Sequence, residues 1–321
     1  MSLKYYGRNT CYTMSKESPL VKKNVLKGHI AILITNILFG LNFAFAKNVG
    51  DEYITPDAFT LVRIGSAALL FWLLAPFFPQ AKLEINDYVR LFLAALFGAT
   101  FNVYSFLKGI VYTSPVDSSI IMTLVPLTVL LLSALFFRER ITLVKFVGII
   151  LGAVGAIVLI AYSGKIDLGG DNLKGNIICL GCVLSYSLYL IVMKPLMEKL
   201  HPFVVMRWVF LFGFIQTAPF FGKSLIETNW AVMPTDTIIS IGYVVIAATF
   251  FTYLLTSVSL NSLRASTVSM YNYLQPVVAT IVAIMIGQDT FNLIKLLSAG
   301  LVFAGVYLVI RAGSESKKLT A

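Results

Sequence analysis

Charge is what this sequence is short of. Asp, Glu, Lys and Arg make up 12% of its 321 residues, about half the share in an ordinary soluble domain. Long polar stretches are missing too. The first 27 residues are the longest, so no segment is left over for a soluble domain. Histidine occurs only as His29 and His201, and cysteine three times. Cys179 and Cys182 form a C-x-x-C, but inside an apolar run and away from any βαβ pattern. That spacing there reads as buried packing, not as a redox pair or part of a disulfide framework. Walker, HExxH and GxSxG motifs and paired-Cys metal sites are absent. ATP-driven transport, the common hydrolase chemistries, a bound metal and other cofactors are therefore without support, and the chain is not expected to be an enzyme.

What is present is apolar sequence. Hydrophobic residues reach 58% and the mean hydropathy is +0.85. Runs long enough to span a bilayer, about 20 residues, recur along the chain. They are too long for strands and lack period-2 alternation. The fold class expected is all-α and integral to the membrane, with ten transmembrane helices at 28–48, 57–78, 88–109, 116–137, 143–162, 175–194, 203–222, 237–259, 266–287 and 293–311. The run from Ile30 to Ala46 exceeds a signal-peptide core and follows a 27-residue polar leader, so it reads as a retained first span. Met14 begins "MSKESPLVKKN", which resembles an ordinary start, so residues 1–13 read as an extension. Lys and Arg divide 17 to 6 between the two sets of alternate loops and tails, with Arg63 and Arg207 inside spans. That bias predicts a multi-pass protein of the cell membrane with both termini cytoplasmic. The net charge of +10 lies in those loops and tails, so it points to membrane topology and not to nucleic acid.

The chain repeats itself. At a constant offset of 150, Phe101 pairs with Phe251, Ser119 with Ser269, Pro126 with Pro276, Glu139 with Asp289, Lys145 with Lys295 and Gly155 with Gly305. Upstream the offset slips to 147, where Lys27-Gly28 meets Lys174-Gly175, and "APFF" at 75–78 recurs at 218–221. The expected organisation is a cytoplasmic leader (1–27), a first five-helix repeat (28–162), a linker (163–174), a second repeat (175–311) and a cytoplasmic tail (312–321). Five spans per half would invert the second half relative to the first. Inverted repeats suit secondary transporters, whose two halves alternate around a shared site.

"FGLNFAFAK" at 39–47 resembles the opening motif of EamA-type transporters of the drug/metabolite transporter superfamily. The Pro126 helix followed by "FFRERITLVKFVGIILGAVGAIVLI" is similar to that family's closing pattern, which Pro276, Asp289, Lys295, Gly300 and Gly305 repeat. Phe39 stands where the family usually has tryptophan, and Asp289 where glutamate is commoner. The resemblance covers roughly 28–311. It implies a secondary carrier with a central cavity, usually exporting metabolites such as amino acids and related compounds; a multidrug efflux carrier is the alternative. A non-transport membrane enzyme or scaffold is the reading from another class. The partners implied are a small-molecule solute and the lipid bilayer, with the protein a monomer or a homodimer.

Helix 9 carries the best site candidates. Ser269, Asn272, Gln275 and Pro276 fall on one helical face, with Tyr273 beside them. Pro276 also frees the carbonyl of Asn272. Amides in hydrocarbon are costly unless paired, so this face meets a solute path or serves as interhelical glue. The first repeat has Met122 and Val125 at the matching places, which would make the cavity polar on one side and greasy on the other, suiting an amphipathic solute. Asn42, Asn102, Tyr104, Tyr186, Tyr189 and Tyr253 are secondary candidates. Arg63 and Arg207 either serve solute or gate, or snorkel to an interface. Pro126 and Pro276 are expected at pseudo-symmetric points. Glu139 and Asp289 read as structural acids at the starts of helices 5 and 10, near Thr142 and Asn292. Gly148, Gly152, Gly155, Gly300, Ala304 and Gly305 would let backbones approach closely, within the chain or at a dimer face.

Overall fold

In the computed structural model the described residues are 25–49, 53–112, 121–139, 141–163, 173–285 and 293–318. Most of them are helical and group into ten rods. These are α1 (Val25–Val49), α2 (Pro56–Leu73), α3 (85–112), α4 (Val125–Phe137), α5 (Leu143–Ser163), α6 (Leu173–Lys199), α7 (Pro202–Ile226), α8 (Thr235–Ser262), α9 (265–285) and α10 (Leu293–Lys318). Seven of the rods contain a stretch long and apolar enough to cross a membrane: α1, α2, α3, α6, α7, α8 and α10. The surface is greasy, and polar side chains are sealed inside among the apolar core residues. Leu135, Phe220 and Ile226 are exposed, while Thr60, Ser187, Thr252 and Ser257 are sealed within the bundle. A helical bundle in lipid shows that distribution, because the solvent around it is as apolar as leucine. The chain is a multi-pass membrane protein.

Helix starts follow local chemistry. Thr55 caps α2, accepting from the Ala58 amide at 3.2 Å, with Pro56 just inside. Thr142 does the same for α5 through the Lys145 amide at 3.3 Å. His201 caps α7 through Nδ1, which accepts from the Phe203 amide at 3.3 Å. Such caps satisfy amide donors that the first helical turn leaves free. At the end of α4, Arg138 takes a left-handed conformation with φ of 51°. That turns the chain out of the helix.

Two rods are not plain α-helix. Residues Ala95–Phe101 of α3 and Ile246–Phe251 of α8 are wound as π-helix, so the same irregularity recurs at the 150-residue offset. The helices of Pro126 and Pro276 are interrupted as well, whereas α6 and α7 run on through Pro195 and Pro219. The chain turns at Thr123–Leu124 ahead of Pro126, and a 3-10 turn, Tyr271–Tyr273, divides Ala265–Met270 from Leu274–Met285 ahead of Pro276. The proline ring supplies no amide hydrogen and crowds the preceding turn, which accounts for both breaks. Helix 9 is therefore not the continuous span expected from the sequence. The final helix also runs on to Lys318, past the expected end at 311.

Glycines bring α5 and α10 together within this chain. A Cβ at Gly155 would lie 2.7 Å from the Ser298 carbonyl, and one at Gly148 would lie 2.9 Å from that of Gly305. Residues 150 apart thus exchange roles: Gly148 stands to Gly305 as Ser298 stands to Gly155. Contacts 148–305 and 155–298 also make the two helices antiparallel. Elsewhere α2 runs antiparallel to α7, with Gly65 on Phe214 and Trp72 donating to the Arg207 carbonyl at 3.2 Å. The α3–α6 pair (Gly98 with Tyr189, Gly109 with Cys179) and the α1–α8 pair (Gly28 with Leu263, Leu38 with Tyr243) are antiparallel too. By contrast α1 and α9 are parallel, with His29 near Tyr271, Asn36 near Gln275 and Gly40 near Val278. Rods that reverse direction at every connection give this set of relations.

Candidate functional site

Polar side chains gather where the two halves meet. On one flank α2, α3, α6 and α8 converge. Buried Arg63 donates through Nε to Thr249 Oγ1 at 3.0 Å, and Thr249 in turn donates to the Val244 carbonyl at 2.7 Å. The Tyr253 hydroxyl donates to the Gly98 carbonyl at 2.7 Å and lies 3.4 Å from Asn102 Oδ1. Asn102 reaches across to Cys182, its Nδ2 standing 3.2 Å from Sγ. Thr249 and Gly98 are both in π-helical turns. A π turn re-aims side chains and leaves carbonyls short of partners, and such turns are frequent at functional sites. Tyr189 completes this flank, its ring 5.8 Å from that of Tyr253 and 6.0 Å from that of Tyr186.

The other flank joins α1 to α9. Gln275 Nε2 donates to Asn36 Oδ1 at 2.9 Å and lies 3.5 Å from Asn272 Oδ1. Asn36 donates to the Ile32 carbonyl at 2.8 Å. Its side chain is fully buried. Two turns toward the helix start, His29 and the Tyr271 hydroxyl meet at 2.7 Å. Asn42 is also buried, and its Oδ1 has no partner.

The remaining candidates divide. Ser269 donates to the Ser266 carbonyl at 3.1 Å within its own turn. Tyr273 faces α5, where its ring covers Gly152, and its hydroxyl has no partner. It is thus placed on another side of α9 from the Gln275–Asn36 contact. Tyr104 stacks on Phe221 at 5.0 Å and lines a separate cavity of about 690 Å³ between α3 and α7. Thr100 and Gln216 hydrogen-bond at 2.7 Å beside that cavity. Arg207 is away from Arg63, toward the α2–α3 connection. It donates to Gln80 at 2.6 Å and lies over the rings of Trp72 and Trp208. Pro126 is buried in α4 and Pro276 half-buried in α9. Glu139 is the hub of an ion cluster. It pairs with buried Lys145 and with Arg264, and accepts from Ser266 at 3.0 Å. It therefore ties α5 to the α8–α9 connection. Asp289 lies outside the described residues. Among the described residues no group of three or more His, Cys, Asp or Glu is placed to hold a metal ion.

Sequence reasoning missed Asn36, Thr249, Gly98 and Gln80. Asn36 had a signal: a lone amide in an apolar run, six residues before Asn42. The role of Gly98 as a carbonyl acceptor has no sequence signature, because it depends on a π turn.

Comparison with known proteins decides the family. The EamA-like transporter family matches twice, over residues 26–161 and 173–311. The chain belongs to that family. An "Uncharacterized transporter" of Archaeoglobus fulgidus is 28% identical over 89% of this chain and 99% of its own length. A "Probable amino-acid metabolite efflux pump" of Salmonella typhimurium is 27% identical over 88% of this chain and 93% of its own. A solved crystal structure aligns with 90% of the chain and 97% of its own, with a TM-score of 0.70 at 16% identity. That last likeness concerns the fold alone. As a member of this family the chain is a transporter.

Proposed function

We propose that this transporter is a secondary carrier that exports a small amphipathic metabolite, an amino acid or a related compound, by alternating access. The ten rods would all cross the cell membrane, with both termini in the cytoplasm, so the halves 28–162 and 175–311 would be inverted copies. The observation that carries the reading is the placement of the polar contacts. Arg63–Thr249, Tyr253–Gly98, Asn102–Cys182 and Gln275–Asn36 each join a residue of the first half to one of the second. Polar groups at membrane depth are costly, and the seam between inverted halves is where a carrier needs them. Asn272 and Gln275 are proposed to line the solute path on one side. Asn102, Tyr186 and Tyr253 would line it on the other, with Asn42 between the flanks. The amino-acid class is supported by the name of the Salmonella relative.

The test is efflux from proteoliposomes loaded in turn with each of the common amino acids. Saturable efflux of at least one, above protein-free vesicles, is expected. Rates equal to protein-free vesicles for the whole set would remove the amino-acid assignment.

A further inference from the structure

The two intramembrane arginines sit at corresponding places in their halves, in α2 and α7, and their surroundings differ. Arg207 donates its Nη1 to Gln80 and has two indole rings beneath the guanidinium, although its Nε is buried without a partner. Arg63 is 3% exposed. It has one hydrogen bond, from Nε to the neutral Thr249 hydroxyl, and no carboxylate lies within ion-pair distance among the described residues. Its titratable neighbours are Tyr253 and Cys182, which are neutral at ordinary pH. Among the described residues neither Nη of Arg63 has a hydrogen-bond partner or is fully sealed, so each keeps a small exposed surface.

A guanidinium stays protonated, so Arg63 cannot escape its burial by losing charge. A buried cation without a counter-charge destabilises the fold unless something else supplies the anion. Resting on the carrier reading above, we infer that Arg63 is the anion-binding residue of the solute site and that the transported solute carries a carboxylate. The planar fork of Nη1 and Nη2 matches a carboxylate through two parallel N–H···O bonds. Thr249 holds Nε and so fixes the direction in which that fork points. The Tyr253 hydroxyl and Asn102 amide on the same flank, now paired with Gly98 and Cys182, would have to exchange those partners to bind the rest of the solute, and the half-buried ring of Tyr186 suits its apolar part.

The experiment compares wild type, Arg63→Gln and Arg63→Lys in detergent. Thermal unfolding is followed alone and with three probes: L-leucine, L-leucine methyl ester and isoamylamine, which share one apolar tail. Inorganic phosphate is a fourth probe, for a site that takes any oxyanion. In wild type, leucine is expected to raise the Tm more than its ester or the amine does. In Arg63→Gln, preference for acid over ester is expected to fall by about 10- to 100-fold, the loss of one charge-assisted pair. Arg63→Lys should keep part of it. Without any probe, Arg63→Gln should unfold no earlier than wild type, because it removes an unpaired buried charge. A clear drop in the Tm of Arg63→Gln without ligand makes Arg63 a structural cation and overturns the inference. So do equal shifts by acid and ester in wild type, or a phosphate shift larger than that of leucine. These outcomes leave the carrier reading standing. Absence of flux in the efflux assay above would count against that reading, while the ligand-free comparison would still decide the role of Arg63.

Discussion

At the scale of single residues, the amides of α9 illustrate how partner identity separates competing roles. Gln275 bonds Asn36 across the seam, and the matching residue of the first half is Val125. Packing of this helix type therefore does not require an amide. Gln275→Val alone would leave Asn36 Oδ1 without its 2.9 Å partner, at a cost of about 1–3 kcal/mol. Asn36→Leu combined with Gln275→Val should recover much of the lost stability and still change solute selectivity. Recovered stability with unaltered selectivity would make the pair glue. His201 gives a pH prediction. Partial burial of the ring, and then nearby Lys27, hold its imidazole below the ordinary value of 6.5. The unfolded chain then binds the proton first as pH falls, so stability is complete above 6.5 and declines as pH drops through the folded value. Protonation also removes the Nδ1 acceptor that caps α7. The Tm is expected to fall below pH 6.5 in wild type and to fall less in His201→Asn, which keeps a capping acceptor without titrating. Equal slopes in the two proteins would contradict this.

At the scale of elements, α5 and α10 form the closest helix pair for which the sequence offered an explanation. Gly155→Leu would drive a side chain into the Ser298 carbonyl, the Leu301 Cβ and the Val302 backbone nitrogen. The expected cost is about 1–3 kcal/mol or more. Gly300→Leu meets nothing within 4 Å, so it should stay within about 0.5 kcal/mol of wild type. Thermal unfolding of the two variants checks the contrast; similar losses would mean that the interface is elsewhere. The glycine spacing made this contact legible, though not whether it lay within the chain. The helix interruptions were less legible. Pro126 and Pro276 marked where two rods would be disturbed. The π turns of α3 and α8 had no specific marker, because a lone Gly98 in the first and Thr249 in the second are common in ordinary membrane helices. Tertiary contacts hold those turns, including Arg63 on Thr249 and Tyr253 on Gly98. Part of the candidate site was hidden from the sequence for the same reason. Glu139 was legible as an acid near a helix start, but its tie to Arg264 spans 125 residues and appears only in the fold.

At the scale of the whole molecule, the direction of each rod and the exchange of contacts at the 150-residue offset support two halves related by a pseudo-two-fold axis across the helices. The Lys and Arg bias then predicts cytoplasmic termini. A fluorescent reporter that matures only in the cytoplasm, fused after Ala321, should be bright; an expressed but dark fusion would reverse the assignment. Inverted halves with a shared polar seam have a functional consequence that a pore lacks. In the proposed carrier the site would face one side at a time, and a solute on the far side would let the carrier return loaded instead of empty. Counterflow measures this directly. Proteoliposomes preloaded with an unlabelled amino acid that the protein transports should take up the labelled compound faster than empty vesicles, with a rate that saturates. Uptake that rises linearly with concentration and ignores the preloaded solute would contradict alternating access in this protein.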